Sequence, residues 1–153
     1  DSLYRRSIYT VWKRSSPPPS MLNFDAPDRY YCVARRTQTA TPLQSLVLMN
    51  DPQFVEAARV LAEKMVRCEE TKEAIHLAYS RLLGRTPRSE EIQTLENLYA
   101  EALVAYKEDK SEADELLNIG KYRVDPDLAK NALAAATMLA STIMNIEEFV
   151  IKR

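Results

Sequence analysis

The residues best suited to chemistry in the first quarter of the chain are cationic. Arg5, Arg6, Lys13 and Arg14 bracket Trp12, and Arg35 and Arg36 follow. A guanidinium presents a planar fork of donors that fits carboxylate, sulfate or phosphate, and an indole face accepts a sugar ring or a guanidinium. Asp25 or Asp28, in the turn between these groups, could complete a cleft for an acidic glycan or for the acidic face of a partner protein. The plainer alternative is that the arginines tie an irregular segment to acidic helix ends, because a segment with few backbone ladders needs side-chain partners. The candidate binding set is therefore Arg5, Arg6, Trp12, Lys13, Arg14, Asp25, Arg35 and Arg36.

Catalytic and metal chemistry find little to work with. There is one histidine, His76, and the cysteines Cys32 and Cys68 form no Cys-x-x-Cys pair. A catalytic zinc ordinarily takes three protein ligands, and a cysteine nucleophile needs a base beside it; His76, between Ile75 and Leu77, reads as a helix-flank residue. No serine occupies a Gly-x-Ser-x-Gly elbow, and two glycines leave little room for a phosphate-cradling loop. Asp25, Asp28 and Asp51 fall in or beside turns, where aspartate ordinarily caps. A glycosidase pair needs carboxylates ~5–9 Å apart, a distance that spacing in sequence does not supply. The expectation is no catalytic residue, no metal and no cofactor, and a domain that is not by itself an enzyme. Cys32 and Cys68 fit a disulfide in an exported protein or two separately buried thiols, and the second is favoured because free cysteine packs well.

The surrounding chain must position these groups. It has 153 residues, 46% hydrophobic and 28% charged, which suits one globular domain with a small appendage. No run approaches the ~20 apolar residues that span a membrane, and Ala132 to Ile146 reads as a buried helix. The net charge of −1 hides an asymmetry: residues 1–40 hold seven Lys/Arg against three Asp/Glu, and residues 41–153 hold fourteen against nineteen. A basic arm on an acidic body suggests an anionic contact, or an arm docked on its own body. Nucleic acid is not the expected partner, since no reading motif is present and the domain is not basic overall. The chain opens on Asp1 rather than Met and reads as a piece of something longer, with any targeting signal outside it.

Residues 1–40 differ in grammar from the rest. Ser7 to Trp12 is β-branched and aromatic, as a strand would be, while Tyr4, Ile8, Val11 and Trp12 also fit one helical face. Pro17-Pro18-Pro19 favours an extended polyproline segment, Phe24 to Arg29 a turn, and Tyr30 to Thr39 an extended stretch that could pair in a short β-ribbon. From Thr41 the pattern is helical. Thr41-Pro42, Asp51-Pro52, Thr86-Pro87 and Asp125-Pro126 read as helix starts. The second of these helices buries Phe54, Ala58, Leu61, Ala62 and Met65, and the next, about Thr71 to Leu83, turns Ile75, Ala78, Tyr79 and Leu82 inward before a left-handed cap at Gly84. Ile92, Leu95, Tyr99, Ala102, Leu103 and Tyr106 supply a further buried face. Glu108 to Glu115 reads as a charged connection to a short helix that Gly120 stops, and Asn145 breaks the last long helix before a turn holding Phe149.

Five stretches taken in order carry a resemblance: RRSIYTVWKR, PPPSMLNFDAPDR, ARRTQTATPLQSLVLMNDPQFVEAAR, LLGRTPRSEE and MNIEEFVIKR. They resemble the C-terminal domain of unknown function, often called PSD-one, of large exported planctomycete proteins. The resemblance spans nearly the whole chain; its triple proline and Leu-Met-Asn-Asp-Pro-Gln-Phe are distinctive, and its Leu-Gly-Arg-x-Pro is weak. It implies export to the periplasm, cell surface or exterior, and linkage to upstream domains that commonly include a cytochrome c-like domain and sometimes a carbohydrate-binding-like module. It implies no activity or catalytic residue. Cys32 has a counterpart in that family and Cys68 does not, which speaks against a bond between them. Residues 1–40 would then complete a larger structure, leaving apolar surface of Trp12 and Phe24 exposed.

The sequence therefore predicts a mainly α-helical bundle of five or six helices, residues 41–153, carrying an irregular arm, residues 1–40, with a short β-ribbon as its alternative form. The expected function is that of a non-catalytic interaction or structural domain of an exported multidomain protein. The alternatives are binding or processing of acidic polysaccharide, and docking support for electron transfer by a neighbouring haem domain.

Overall fold

The computed structural model describes residues 7–13, 15–27, 30–32, 34–35 and 37–151. Helices form where a capping side chain meets a run of good helix formers. Thr41 accepts the Gln44 N–H while the Gln44 side chain takes the Thr41 N–H, a reciprocal capping box that starts α2 (Pro42–Asn50). Asp51 accepts from Gln53 N–H and starts α3 (Pro52–Met65) at once. Pro42 and Pro52 stand first in their helices, where a missing N–H costs nothing. Before them lie one turn of 3-10 helix at Ser7–Tyr9, an isolated bridge between Lys13 and Ser16, and the short α1 (Pro19–Asn23). The described part of the arm is thus irregular, with no strand.

After α3 come α4 (Thr71–Leu82), α5 (Ser89–Glu108), α6 (Lys110–Leu117), α7 (Lys130–Met144) and α8 (Glu147–Val150). The expected mainly helical bundle is present: α2 to α7 are its six long members, and α1 and α8 are single turns at its ends. No described helix is long and apolar enough to cross a membrane. Gly84 adopts the left-handed conformation expected of it, at φ 73°.

α7 is the central element. Leu133 to Thr137, Leu139, Ala140, Ile143 and Met144 are all buried, and the helix packs most extensively on α3 and α5. Ala134, Ala136 and Ala140 share one core with Ala58 and Ala62 of α3 and Ala74 and Ala78 of α4, and small side chains let helix axes approach closely. Thr137 stays inside that core because its hydroxyl donates to Leu133 O.

Three helix boundaries depart from the sequence reading. α5 begins at Ser89, not at Thr86-Pro87, because Arg85 donates to Thr86 O and the Glu91 carboxylate takes the Arg88 N–H. The cap passes to Arg88, and Pro87 is buried in an extended lead-in. α7 begins at Lys130, not at Asp125-Pro126. The Asp125 carboxylate closes one isolated turn through Asp127 N–H and is held there by Arg67, so the chain must restart at Ala129. The charged stretch after Glu108 is helix rather than connection, since Asp109 accepts from both Ser111 N–H and Glu112 N–H. Cys68 is half-buried, but Cys32 is exposed and both thiols are free, so the expectation of two buried thiols fails at Cys32. His76 is exposed on α4, at a helix flank as expected.

Candidate functional site

The arm meets the bundle at a junction built on Asp25. At the end of α1 the Asp25 N–H reaches Leu22 O and the Ala26 N–H reaches Met21 O, the paired bonds of a Schellman cap. The residue between must be left-handed, a position usually given to glycine, and Asp25 takes it at φ 56°. Such a conformation costs a residue with a Cβ about 1–2 kcal/mol. The carboxylate offsets that cost: Oδ2 accepts from Thr39 N–H at 2.8 Å, and Oδ1 from the Thr39 hydroxyl at 2.9 Å.

Gln44 closes the same junction. It is buried, donating through Nε2 to Asn23 O at 2.6 Å while Oε1 accepts the Thr41 N–H. One side chain thereby joins the end of α1 to the first turn of α2. The Phe24 ring lies 5.8 Å from that of Phe54 on α3 and tilted to it, fixing the arm to the bundle through apolar contact as well. Phe24, Asp25, Thr39, Phe54, Phe149 and Ile151 line a cleft of about 310 Å3 at this seam.

The sequence-derived candidates are distributed as follows. Trp12 is half-buried, Lys13 and Arg35 are exposed, and Asp25 is half-buried at the junction. Among the described residues, the cleft takes Asp25 from the candidate set and not Trp12, Lys13 or Arg35. Arg5, Arg6, Arg14, Asp28 and Arg36 lie outside the described residues. No group of three His, Cys, Asp or Glu side chains positioned for a metal occurs among the described residues.

Two ionic clusters were not foreseen. On α3, Glu56, Arg59 and Glu63 are all buried. Arg59 pairs with Glu63 at 3.2 Å and donates to Tyr122 O at 2.7 Å, while Glu56 accepts the Lys121 N–H. These groups clamp the loop after α6 onto α3. Their spacing reads locally as a solvated stripe, and what buries them lies some sixty residues further on, so no local signal points to them. Gln44 was missed as well, although a sequence signal was available in the Thr41-x-x-Gln44 spacing of a capping box.

The second cluster surrounds Arg85, just past Gly84. Its guanidinium grips Glu91 through two bonds of 2.9 and 2.7 Å, reaches Glu148 on α8, and lies 5.1 Å from the centre of the Tyr79 ring. The Arg85 bonds, helped by the Arg88 N–H, hold the Glu91 carboxyl down at about 2, against the contrary pull of partial burial. Burial is the first cause that pushes the Tyr79 hydroxyl up. Because the folded value of Glu91 is depressed, its contribution is complete above the ordinary carboxylate value and is lost as pH falls towards about 2. Arg85→Gln is expected to cost roughly 1–2 kcal/mol at neutral pH in urea unfolding, and the gap from the parent chain should close as pH falls through that window.

The described residues thus form a helical bundle to which the arm is stapled through Asp25 and Gln44. Residues 1–99 match the model of PSD1, a protein of unknown function (DUF1553), and the chain belongs to that family. The match takes in the arm, the Asp25 junction, the charged face of α3 and, from the second cluster, Tyr79, Arg85 and Glu91 but not Glu148. No curated protein and no solved structure matches the chain.

Proposed function

We propose that the chain is a non-catalytic docking domain that presents residues 1–40 to another domain from a body formed by residues 41–153. The observation that carries the reading is an arm anchored at its base that holds several large apolar side chains at the surface. Ile8, Tyr9 and Val11 are 82%, 71% and 86% exposed, and Tyr30 and Tyr31 are exposed further along. Large apolar side chains held at the surface beside a polar staple mark an interaction face more often than a free surface. The exposed cations Lys13 and Arg35 would add steering towards an acidic partner.

The partner of first choice is an upstream domain of the same polypeptide. The resemblance to large exported planctomycete proteins makes a cytochrome c-like domain the natural candidate, in an exported setting. Supporting electron transfer by that domain is then a consequence of docking rather than chemistry by this chain. Acidic polysaccharide is the second reading, favoured by the cations and Trp12 of the same arm.

Calorimetric titration of the chain with the upstream domains, beside a panel of neutral, carboxylated and sulfated polysaccharides at two salt concentrations, separates these readings. Saturable binding to the upstream domains, weakened tenfold or more by Ile8→Ser with Val11→Ser, is expected. Salt-sensitive binding to acidic polysaccharide alone, abolished by Trp12→Ala, would replace the docking reading with the second.

A further inference from the structure

A second apolar surface lies on α2, away from the arm's exposed residues in sequence and independent of the reading above. The fourteen residues from Thr37 to Asn50 carry no charge in a chain that is 28% charged. α2 buries Gln44 and Leu48, which turns Leu43, Leu46 and Met49 outward at 51%, 56% and 58% exposure. At three-residue spacing these form one ridge, with Leu46 at its centre, opposite the buried side. Beside the ridge runs a groove of about 340 Å3 between α3, α5, α6 and α7. Its walls include Met49, Val55, Tyr106, Leu116 and Met138, and none of its lining residues is an acid, a lysine or an arginine. Met138 is itself 41% exposed. Ridge and groove thus adjoin and share Met49.

We propose that this uncharged ridge-and-groove face pairs with the same face of a second copy of the chain, the α2 ridge of each copy entering the groove of the other. Two features of the face select a second copy over a foreign partner. A two-fold contact needs a surface that carries both halves of its own complement, and here a ridge and a groove lie side by side. A two-fold contact also sets identical groups against one another near the axis, so any net charge there meets its own sign; this face has none. Ridges of apolar side chains entering grooves are the ordinary means by which helices pack.

Sedimentation velocity of the chain over a range of concentrations tests the proposal, in reducing buffer so that the exposed Cys32 does not cross-link copies. A reversible monomer–dimer equilibrium insensitive to salt is expected. Leu46→Glu should weaken the dimer roughly tenfold or more, because the two-fold sets the new carboxylates into an apolar contact. Leu46 is more than half exposed, so helix content by circular dichroism should be unchanged. Met138→Lys, on the groove side, should weaken the dimer in the same way and stands in if Leu46→Glu fails to fold. A chain that is monomeric at every concentration overturns the proposal, as does a dimer that both substitutions leave intact. Neither result bears on the arm, so failure here is distinguishable from failure of the docking reading.

Discussion

Replacing Arg59 with methionine should destabilise the chain by about 3–5 kcal/mol, the range for breaking a buried ion pair from one side. The Arg59 side chain is only 1% exposed. Methionine fills much of the same space, so the loss is not chiefly one of packing. It leaves the Glu63 carboxylate buried without its cation and Tyr122 O without its donor. Arg59 Nε itself has no hydrogen-bond partner among the described residues, so the native arrangement is not an ideally satisfied one. That makes the second half of the experiment informative. Arg59→Met combined with Glu63→Leu removes both charges and should recover most of the loss, because an apolar pair avoids the desolvation of two ions. Urea unfolding followed by circular dichroism, with the denaturant slope checked for constancy, measures both steps. A single substitution costing under about 1 kcal/mol would mean that the α3 cluster is solvated rather than buried.

Gly120→Ala is the second large effect, at about 2–4 kcal/mol from left-handed strain plus a displaced carboxylate. Gly120 has φ 99°, and an added Cβ would lie 1.9 Å from Glu56 Oε2 and 2.6 Å from its Cδ. That carboxylate cannot swing away cheaply, because it is buried and accepts the Lys121 N–H. The backbone strain and the collision are separable. In a Glu56→Ala background the collision is gone and only the strain remains, so the same glycine substitution should cost measurably less there. A cost unchanged between the two backgrounds would show that Glu56 and Gly120 do not meet in solution. The sequence marks Gly120 as a helix stop, and the structure makes it the floor on which Glu56 rests.

Local grammar carried the helices and missed what joins them. The caps at Thr41 and Asp51, the apolar stripes of α3, α4 and α5 and the buried run of α7 are readable because capping and periodicity are properties of adjacent residues. Asp125-Pro126 carries the same signal and misleads, since Arg67, far away in sequence, holds the Asp125 carboxylate to a single turn. Thr86-Pro87 misleads for a similar reason, through Arg85 and Glu91. Buried Glu56, Arg59 and Glu63 look like surface charges until the loop after α6 covers them. In the arm, the turn at Phe24 and Asp25 was legible from composition. Its attachment to Thr39 and Gln44 was not, because that depends on two turns meeting in space. Family membership was legible from the order of distinctive stretches, which periodicity alone would not have given.

The docking reading is tested most directly by amide hydrogen exchange along the arm. Exchange at Ile8 to Val11 and at Tyr30 and Tyr31 would be followed in this chain alone and in the same chain joined to the upstream domains that the docking reading proposes. These residues are exposed here and should exchange quickly in the isolated chain, while the Thr39 amide, bonded to Asp25, is slowed in both. Slowing of the exposed arm residues in the joined protein, with Thr39 unchanged, is the predicted result. Equal and rapid exchange of those residues in both proteins would contradict the account.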